Sequence, residues 1–459
     1  MSSTISVFTS DSVLLYGLED VKPATIIVDT TTGKIIEVKE TRASRQDFPD
    51  VTDNQWFDAG RKLILPGLVD AHVHLNEPGR TDWEGFYTGT LAAASGGVTT
   101  VVDMPLNSIP PTTTVTNLQV KREAAEGKCW VDVAFWGGLI PDNKSELKEV
   151  ANAGAKGFKC FLIESGVDEF PCVNESDVNI AMEHLGDTPV PLLFHAELES
   201  EHIHAEAPAG SDPTLYQTFL QSRPEVLETD AISLVLRLQE KHNYRKCHIV
   251  HLSAASALPA IREAKAKGLP LTVETCFHYL VLAAETIPDG APKFKCCPPV
   301  RGKENRDKLW EALVDGTIDC VVSDHSPCIP ELKRHDGDIM KAWGGISTLG
   351  FGLNLLWTEG QKRGIGIGQI CKWTCERTAR LASLNDRKGG IKQGLDADII
   401  IWDSEAEQTI NRDNIYFKNK LTPYEGMNVR GRVEKTFVRG QLVWDRFNQE
   451  EKRPLGRLI

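Results

Sequence analysis

A chain of 459 residues, 41% hydrophobic and 25% charged, has apolar material for one large domain and a smaller one. Its net charge of -13, with no basic stripe, excludes nucleic acid as a partner, because phosphate binding needs clustered positive charge. Eleven cysteines with no CxxC pair, in a chain this long, argue for reduced, buried thiols and against a disulfide framework.

The opening Met1–Ser6 has no basic segment followed by an apolar run, so no secretory signal is expected. Residues 4–62 read as short strands: Val13–Tyr16 and Thr25–Val28 are β-rich, and Thr32-Gly33-Lys34 marks a turn. Apolar runs then alternate with longer amphipathic segments. The runs are Leu63–His74, Gly97–Met104, Val131–Leu139, Gly157–Leu162, Val190–Ala196, Cys247–Leu252, Pro270–Thr275 and Asp319–Ser323. Helices are expected at 82–94, 115–126, 225–242, 254–267 and 304–313, and again at 346–357 and 368–384. Strand character returns at Gly394–Trp402 and at Val433–Trp444, with a turn at Arg439-Gly440. None of the apolar runs approaches the ~18 residues of a membrane span. Arg457-Leu458-Ile459 is not a peroxisomal signal. A cytosolic location and no membrane partner are therefore expected.

Eight near-continuous apolar strands, most followed by a helix, predict an α/β fold: a (β/α)8 TIM-like barrel. An open doubly wound sheet would carry a glycine-rich turn after its first strand. Here that turn holds two histidines and no GxGxxG. The strand-rich ends are expected to pair into a small β-sandwich domain. The expected division is 1–62 and 389–459 for that domain, and 63–388 for the barrel.

The tips of the barrel strands carry the chemistry. His72 and His74 lie two apart and so share one face of strand one. A lone His-x-His is weak: His202 and His204 form another, in an acidic stretch read as surface loop. What strengthens the first pair is His195, His251 and Asp324 at the ends of strands five, six and eight, all converging on one rim. Burying such polar groups without purpose is costly. Strand four contributes Lys159 in Gly157-Phe158-Lys159-Cys160. A buried lysine loses its proton easily, and the neutral amine can add carbon dioxide. The resulting carbamate is an anion whose two oxygens can bridge two cations. His325 and His248 are expected to point away from this rim, and His278 is read as structural or supporting.

Together these residues resemble the cyclic amidohydrolases of the amidohydrolase superfamily, the group of hydantoinases, dihydroorotases and allantoinases. The resemblance runs from Pro66-Gly67-Leu68-Val69-Asp70-Ala71-His72-Val73-His74 to Gly394-Leu395-Asp396-Ala397-Asp398. It implies that His72 and His74 bind one metal and that His195 and His251 bind the other. Lys159 is then the N6-carboxylated bridge, and Asp324 is both ligand to the first metal and general acid/base. The loop segments Asp103–Asn107, Lys295–Arg301, Ser323–Cys328, Ala342–Ile346 and Lys420–Gly426 are most similar to the allantoinase branch. One departure is Phe277, where the family often has proline. The likeness implies a homotetramer that opens the hydantoin ring of allantoin with two divalent metals, zinc being expected although such ligands also accept cobalt, manganese or iron. Asn107, Cys297 (through its main chain), Ser326, Trp343 and Gly344 are the candidate substrate contacts. Two rival readings are a hydantoinase or dihydropyrimidinase and a non-catalytic scaffold, which should have lost metal ligands.

Overall fold

Eight parallel strands close on themselves in the computed structural model, which describes residues 4–448 and 453–459. Met1–Ser3, the head of the segment read for a targeting signal, lie outside the described residues. The barrel strands, in order, are Leu68–Val73, Val98–Asp103, a third in two pieces (Asp132–Phe135 and Gly137–Gly138), Phe158–Phe161, Leu192–His195, Cys247–Ile249, Leu271–Cys276 and Cys320–Val322. Neighbours pair in parallel throughout. A parallel bridge between Val73 and His325 joins the eighth to the first. Nearly every strand residue is buried, which is why the sequence shows continuous rather than alternating apolar runs. Helices such as Phe86–Ser95, Val115–Ala125, Glu225–Lys241 and Lys303–Val314 occupy the intervals. Thr114 caps one of them by accepting from the Asn117 N–H at 3.1 Å.

The two ends of the chain share one eight-stranded, mostly antiparallel sheet. Its order is Gln441–Asp445, Asn428–Val438, Ile399–Thr409, Leu63–Pro66, Ile5–Val13, Lys22–Asp29 and Ile35–Lys39, with Trp56–Asp58 also paired to Ile5–Val13. Phe8 stacks on Phe57 at 4.7 Å and meets Phe437 edge-on at 4.9 Å, so residues more than 400 positions apart share one core.

The run 63–74 is not one strand, as its apolar character suggested. Leu63–Pro66 pairs with Ile399–Trp402 in the small sheet, and the barrel strand starts at Leu68. Gly67 is the pivot: a Cβ there would lie 2.2 Å from Thr99 Oγ1, so only glycine lets the chain pass from one sheet to the other.

A buried ionic knot ties the sheets together at the start of barrel strand three. Lys388 Nζ reaches Asp132 at 2.6 Å, Asp398 at 2.8 Å and Asp396 at 3.0 Å, and Arg439 also pairs with Asp132. The Val133 N–H donates to the Arg457 carbonyl and the Ile459 N–H to that of Val133, both at 2.9 Å. All eleven cysteines are free. Among the described residues no helix is long and apolar enough to cross a membrane.

Candidate metal centre

The barrel closes in a way that brings strands one and eight together at their tips. The His74 N–H donates to the His325 carbonyl at 2.8 Å. Asp324, two residues past strand eight, therefore lies beside the strand-one pair, with Oδ1 at 3.2 Å from His72 Nε2 and 3.5 Å from His74 Nε2. The rings of His195 and His251 are 4.6 Å apart, and those of His72 and His251 are 5.5 Å apart. Phe161 stacks on His195 at 4.4 Å and fixes the plane of its ring. Asp324 and His251 sit at φ of 44° and 38°. This left-handed backbone costs a non-glycine residue ~1–3 kcal/mol, and here it aims both side chains inward.

Burial governs the protonation states. It pulls the His74 imidazole down to about 4 and lowers His195 and His251 as well, leaving neutral rings with lone pairs to give. Burial works against the Asp324 charge, but His72 and His74 more than offset it and hold the carboxyl below its usual range. Lys159 is 1% exposed, and burial brings its amine down to about 8. Its Nζ lies 5.1 Å from the Phe161 ring centroid. No carboxylate lies within ion-pair distance of it among the described residues.

Two buried carboxylates stand behind the ligand-type groups. Glu274 accepts from His72 Nδ1, from His248 Nε2 at 3.0 Å and from the His251 N–H at 3.2 Å. Glu197 accepts from His195 Nε2 at 2.8 Å and from Arg223 at 2.9 Å. Burial opposes both charges, yet His72 and His248 hold Glu274 at about 2, and Arg223 and His195 hold Glu197 at about 2. Each carboxylate occupies one ring nitrogen of its histidine and leaves the other for a ligand.

This donor set fits divalent cations. Ligand atoms of His72, His74 and Asp324 lie within 4.8 Å of one another. His251 Nδ1 is buried without a hydrogen-bond partner. Lys159 as an ammonium would repel a cation, so it fits only through its neutral amine or an anion formed from it. A second triple of Cys276, His278 and Asp324 has similar spacing. Burial raises the Cys276 thiol well above its usual value.

The six candidate ligands and the five candidate contacts all line one cavity of about 370 Å³. Asn107 Nδ2 lies 3.3 Å from His74 Nδ1, while its Oδ1 has no partner. Trp343–Gly345 passes close to two other loops: a Cβ at Gly345 would lie 2.3 Å from the Ser326 carbonyl, and one at Gly344 3.1 Å from Cys297 Sγ. Lys333 pins this wall by donating to the carbonyls of Gly345 at 2.6 Å and Trp343 at 2.8 Å.

His202 and His204 are exposed and do not line the cavity, although the neighbouring Ala205 does. His325 turns away, its Nδ1 accepting from the Thr348 N–H at 3.1 Å and its Nε2 lying 3.3 Å from Glu84. His248 does not face the helices as expected. It points inward to Glu274, which also bonds His72. Strict alternation set it opposite His251, but the left-handed turn at His251 breaks that alternation. Sequence reasoning also missed Glu274, Glu197, Arg223 and Lys295. An acid inside an apolar run was the available signal for Glu274, spacing from His195 for Glu197, and membership of the Lys295–Arg301 segment for Lys295; Arg223 comes from a loop and carried none.

Residues 63–443 match the amidohydrolase family. The chain is 48% identical over 460 residues to an allantoinase of Saccharomyces cerevisiae, covering 99% of this chain and 98% of the relative. It is 55% identical over 349 residues to a mitochondrial allantoinase of Aquarana catesbeiana, covering 76% and 71%. An allantoinase of Streptomyces avermitilis is 48% identical over 402 residues, covering 88% of each chain. Among solved structures, the L-hydantoinase (dihydropyrimidinase) of Arthrobacter aurescens superposes with a TM-score of 0.90 at 28% identity, covering 100% of this chain and 99% of that one. The dihydropyrimidinase of Brevibacillus agri gives 0.86 at 28% identity, covering 99% and 98%.

Proposed function

The chain belongs to the amidohydrolase family, and from that premise we propose that it hydrolyses the cyclic amide of allantoin to give allantoate. The observation that carries this reading is 48% identity to an allantoinase across 99% of the chain. Its hydantoinase and dihydropyrimidinase neighbours are relatives at 28% identity.

In this reading His72, His74 and Asp324 would hold one divalent cation, His195 and His251 would hold a second, and Lys159, once carboxylated, would supply an anionic ligand beside them. Zinc suits the imidazole-rich set. Two such cations, when bound, supply the charge that acidifies water and polarises an amide carbonyl. The rest is done by side chains. Asp324, ionised and lining the cavity, takes the proton as the water oxygen bonds to the ring carbon. It returns that proton to the ring nitrogen as the carbon–nitrogen bond breaks. Glu274 and Glu197 keep the His72 and His195 rings in register through this exchange. Asn107 meets the ureido group, the Cys297 main chain and the Trp343–Gly345 turn hold the ring edge, and Ser326 points into the pocket. The lysine amine must be neutral to add carbon dioxide, and its burial favours that form.

A homotetramer, a cytosolic location and a place in ureide breakdown complete the reading. The test is a panel of allantoin, hydantoin and dihydrouracil at equal concentration, with metal analysis of the same preparation. Allantoin is expected to turn over fastest, with two metals per chain. Faster opening of dihydrouracil, or a metal-free protein after expression with zinc or manganese, would sink the proposal.

A further inference from the structure

Five lysines are buried among the described residues: Lys121, Lys159, Lys295, Lys333 and Lys388. A buried ammonium without compensation is costly, so each needs a partner. Lys121 has Asp103 at 2.6 Å. Lys388 has its three aspartates. Lys333 donates to the carbonyls of Gly345, Trp343 and Lys295. Lys159 is accounted for by the carbamate.

Lys295 is left over. It is 8% exposed and lines the cavity. Its Nζ donates to the Met340 carbonyl at 2.7 Å and lies 5.1 Å from the Phe219 ring centroid. No carboxylate lies within ion-pair distance among the described residues, so its remaining N–H donors are open to a ligand. Burial lowers the amine to about 8, which leaves it mostly charged at neutral pH. Arg223, on the same cavity, is already engaged by Glu197. Lys295 does not belong to the metal-ligand set, which leaves it free to meet the part of the substrate that is not being cleaved.

We infer that Lys295 is the specificity-determining residue that binds the carbonyl oxygen of the ureido arm, and so separates a ureido-substituted hydantoin ring from a bare one. The inference rests on the allantoin reading. A hydantoin without the arm makes no bond to this donor, so the two compounds are separated by the interaction that only the armed ring gains. A carbonyl on the arm supplies the acceptor that the protein withholds.

The experiment compares wild type, Lys295→Met and Lys295→Arg on allantoin and on hydantoin, the latter as turnover or, where that is slow, as its Ki against allantoin. Lys295→Met is expected to lower kcat/KM for allantoin about 10- to 100-fold, chiefly through KM, while the hydantoin value moves less than about twofold. Lys295→Arg, which keeps a charged donor, is expected to recover part of the loss. The unchanged hydantoin value shows that the Met variant is folded and metal-loaded. An equal fall for both compounds, or an unchanged allantoin value, overturns the inference. A wild type that does not open allantoin overturns instead the reading on which it rests.

Discussion

Replacing Glu274 by glutamine keeps the shape of a fully buried side chain and removes its charge. In the wild type the carboxylate accepts from His72 Nδ1, His248 Nε2 and the His251 N–H. Charge-assisted hydrogen bonds are worth about twice neutral ones, so the His72 bond weakens by ~1 kcal/mol. The glutamine N–H2 also cannot accept from His248, which forces a tautomer change or leaves one donor unmet for another ~1 kcal/mol. The sum, about 2 kcal/mol, corresponds to roughly 30-fold weaker metal binding through a less basic His72, within the 10- to 100-fold range of such outer partners. The assay is competition with a chelator, read as metal per chain, together with kcat/KM at saturating metal. Activity should return largely as metal is added. A metal affinity within twofold of wild type would refute the argument that Glu274 acts through His72.

Lys388→Met should destabilise the fold by about 3 kcal/mol, the lower end for breaking a buried ion cluster, because Asp132 keeps Arg439 and Asp396 keeps Lys34 and Arg387. Urea unfolding measures this; a loss under about 1 kcal/mol would show that the knot adds little, and kcat should change less than twofold because Asp132 begins its strand at the end remote from the ligands. Acid should act on the same cluster. Burial opposes the Asp396 charge but Lys388 wins, taking its pKa from 3.8 down to about 2. A depressed carboxyl stabilises the fold above its unfolded value and ceases to as pH falls through the folded one. Wild type should therefore exceed Asp396→Asn by a margin that shrinks by ~2 kcal/mol between about pH 4 and pH 2. A margin independent of pH in thermal unfolding would contradict this.

The barrel was legible because its strands are buried on both faces, which writes eight apolar runs into the chain. The candidate site was legible because its polar residues interrupt those runs at their tips, as His195, His251 and Asp324 do. Geometry that depends on one backbone angle was not. His248 turned inward because His251 leaves the extended region, and Leu63–Pro66 left the barrel because Gly67 allows a crossing that a side chain would block. Lys295 and Arg223 reach the cavity from loops whose path no periodicity encodes. Glu274 was visible as an acid in strand seven, but its partners are 26 residues away at His248 and 202 away at His72.

The shared sheet also sets an order of events during synthesis. Ile64 pairs with Ile401, so a strand made early waits for one made 337 residues later. At ~5–20 residues per second that wait is about 20–70 s. The barrel strands emerge within it, so the barrel can gather while Leu63–Pro66 stands as an open edge. An exposed apolar edge is a template for pairing with another chain. The yield of this protein in a foreign host should therefore respond to growth temperature and chaperone supply more than to changes at the metal centre, because the vulnerable surface belongs to the sheet that closes last.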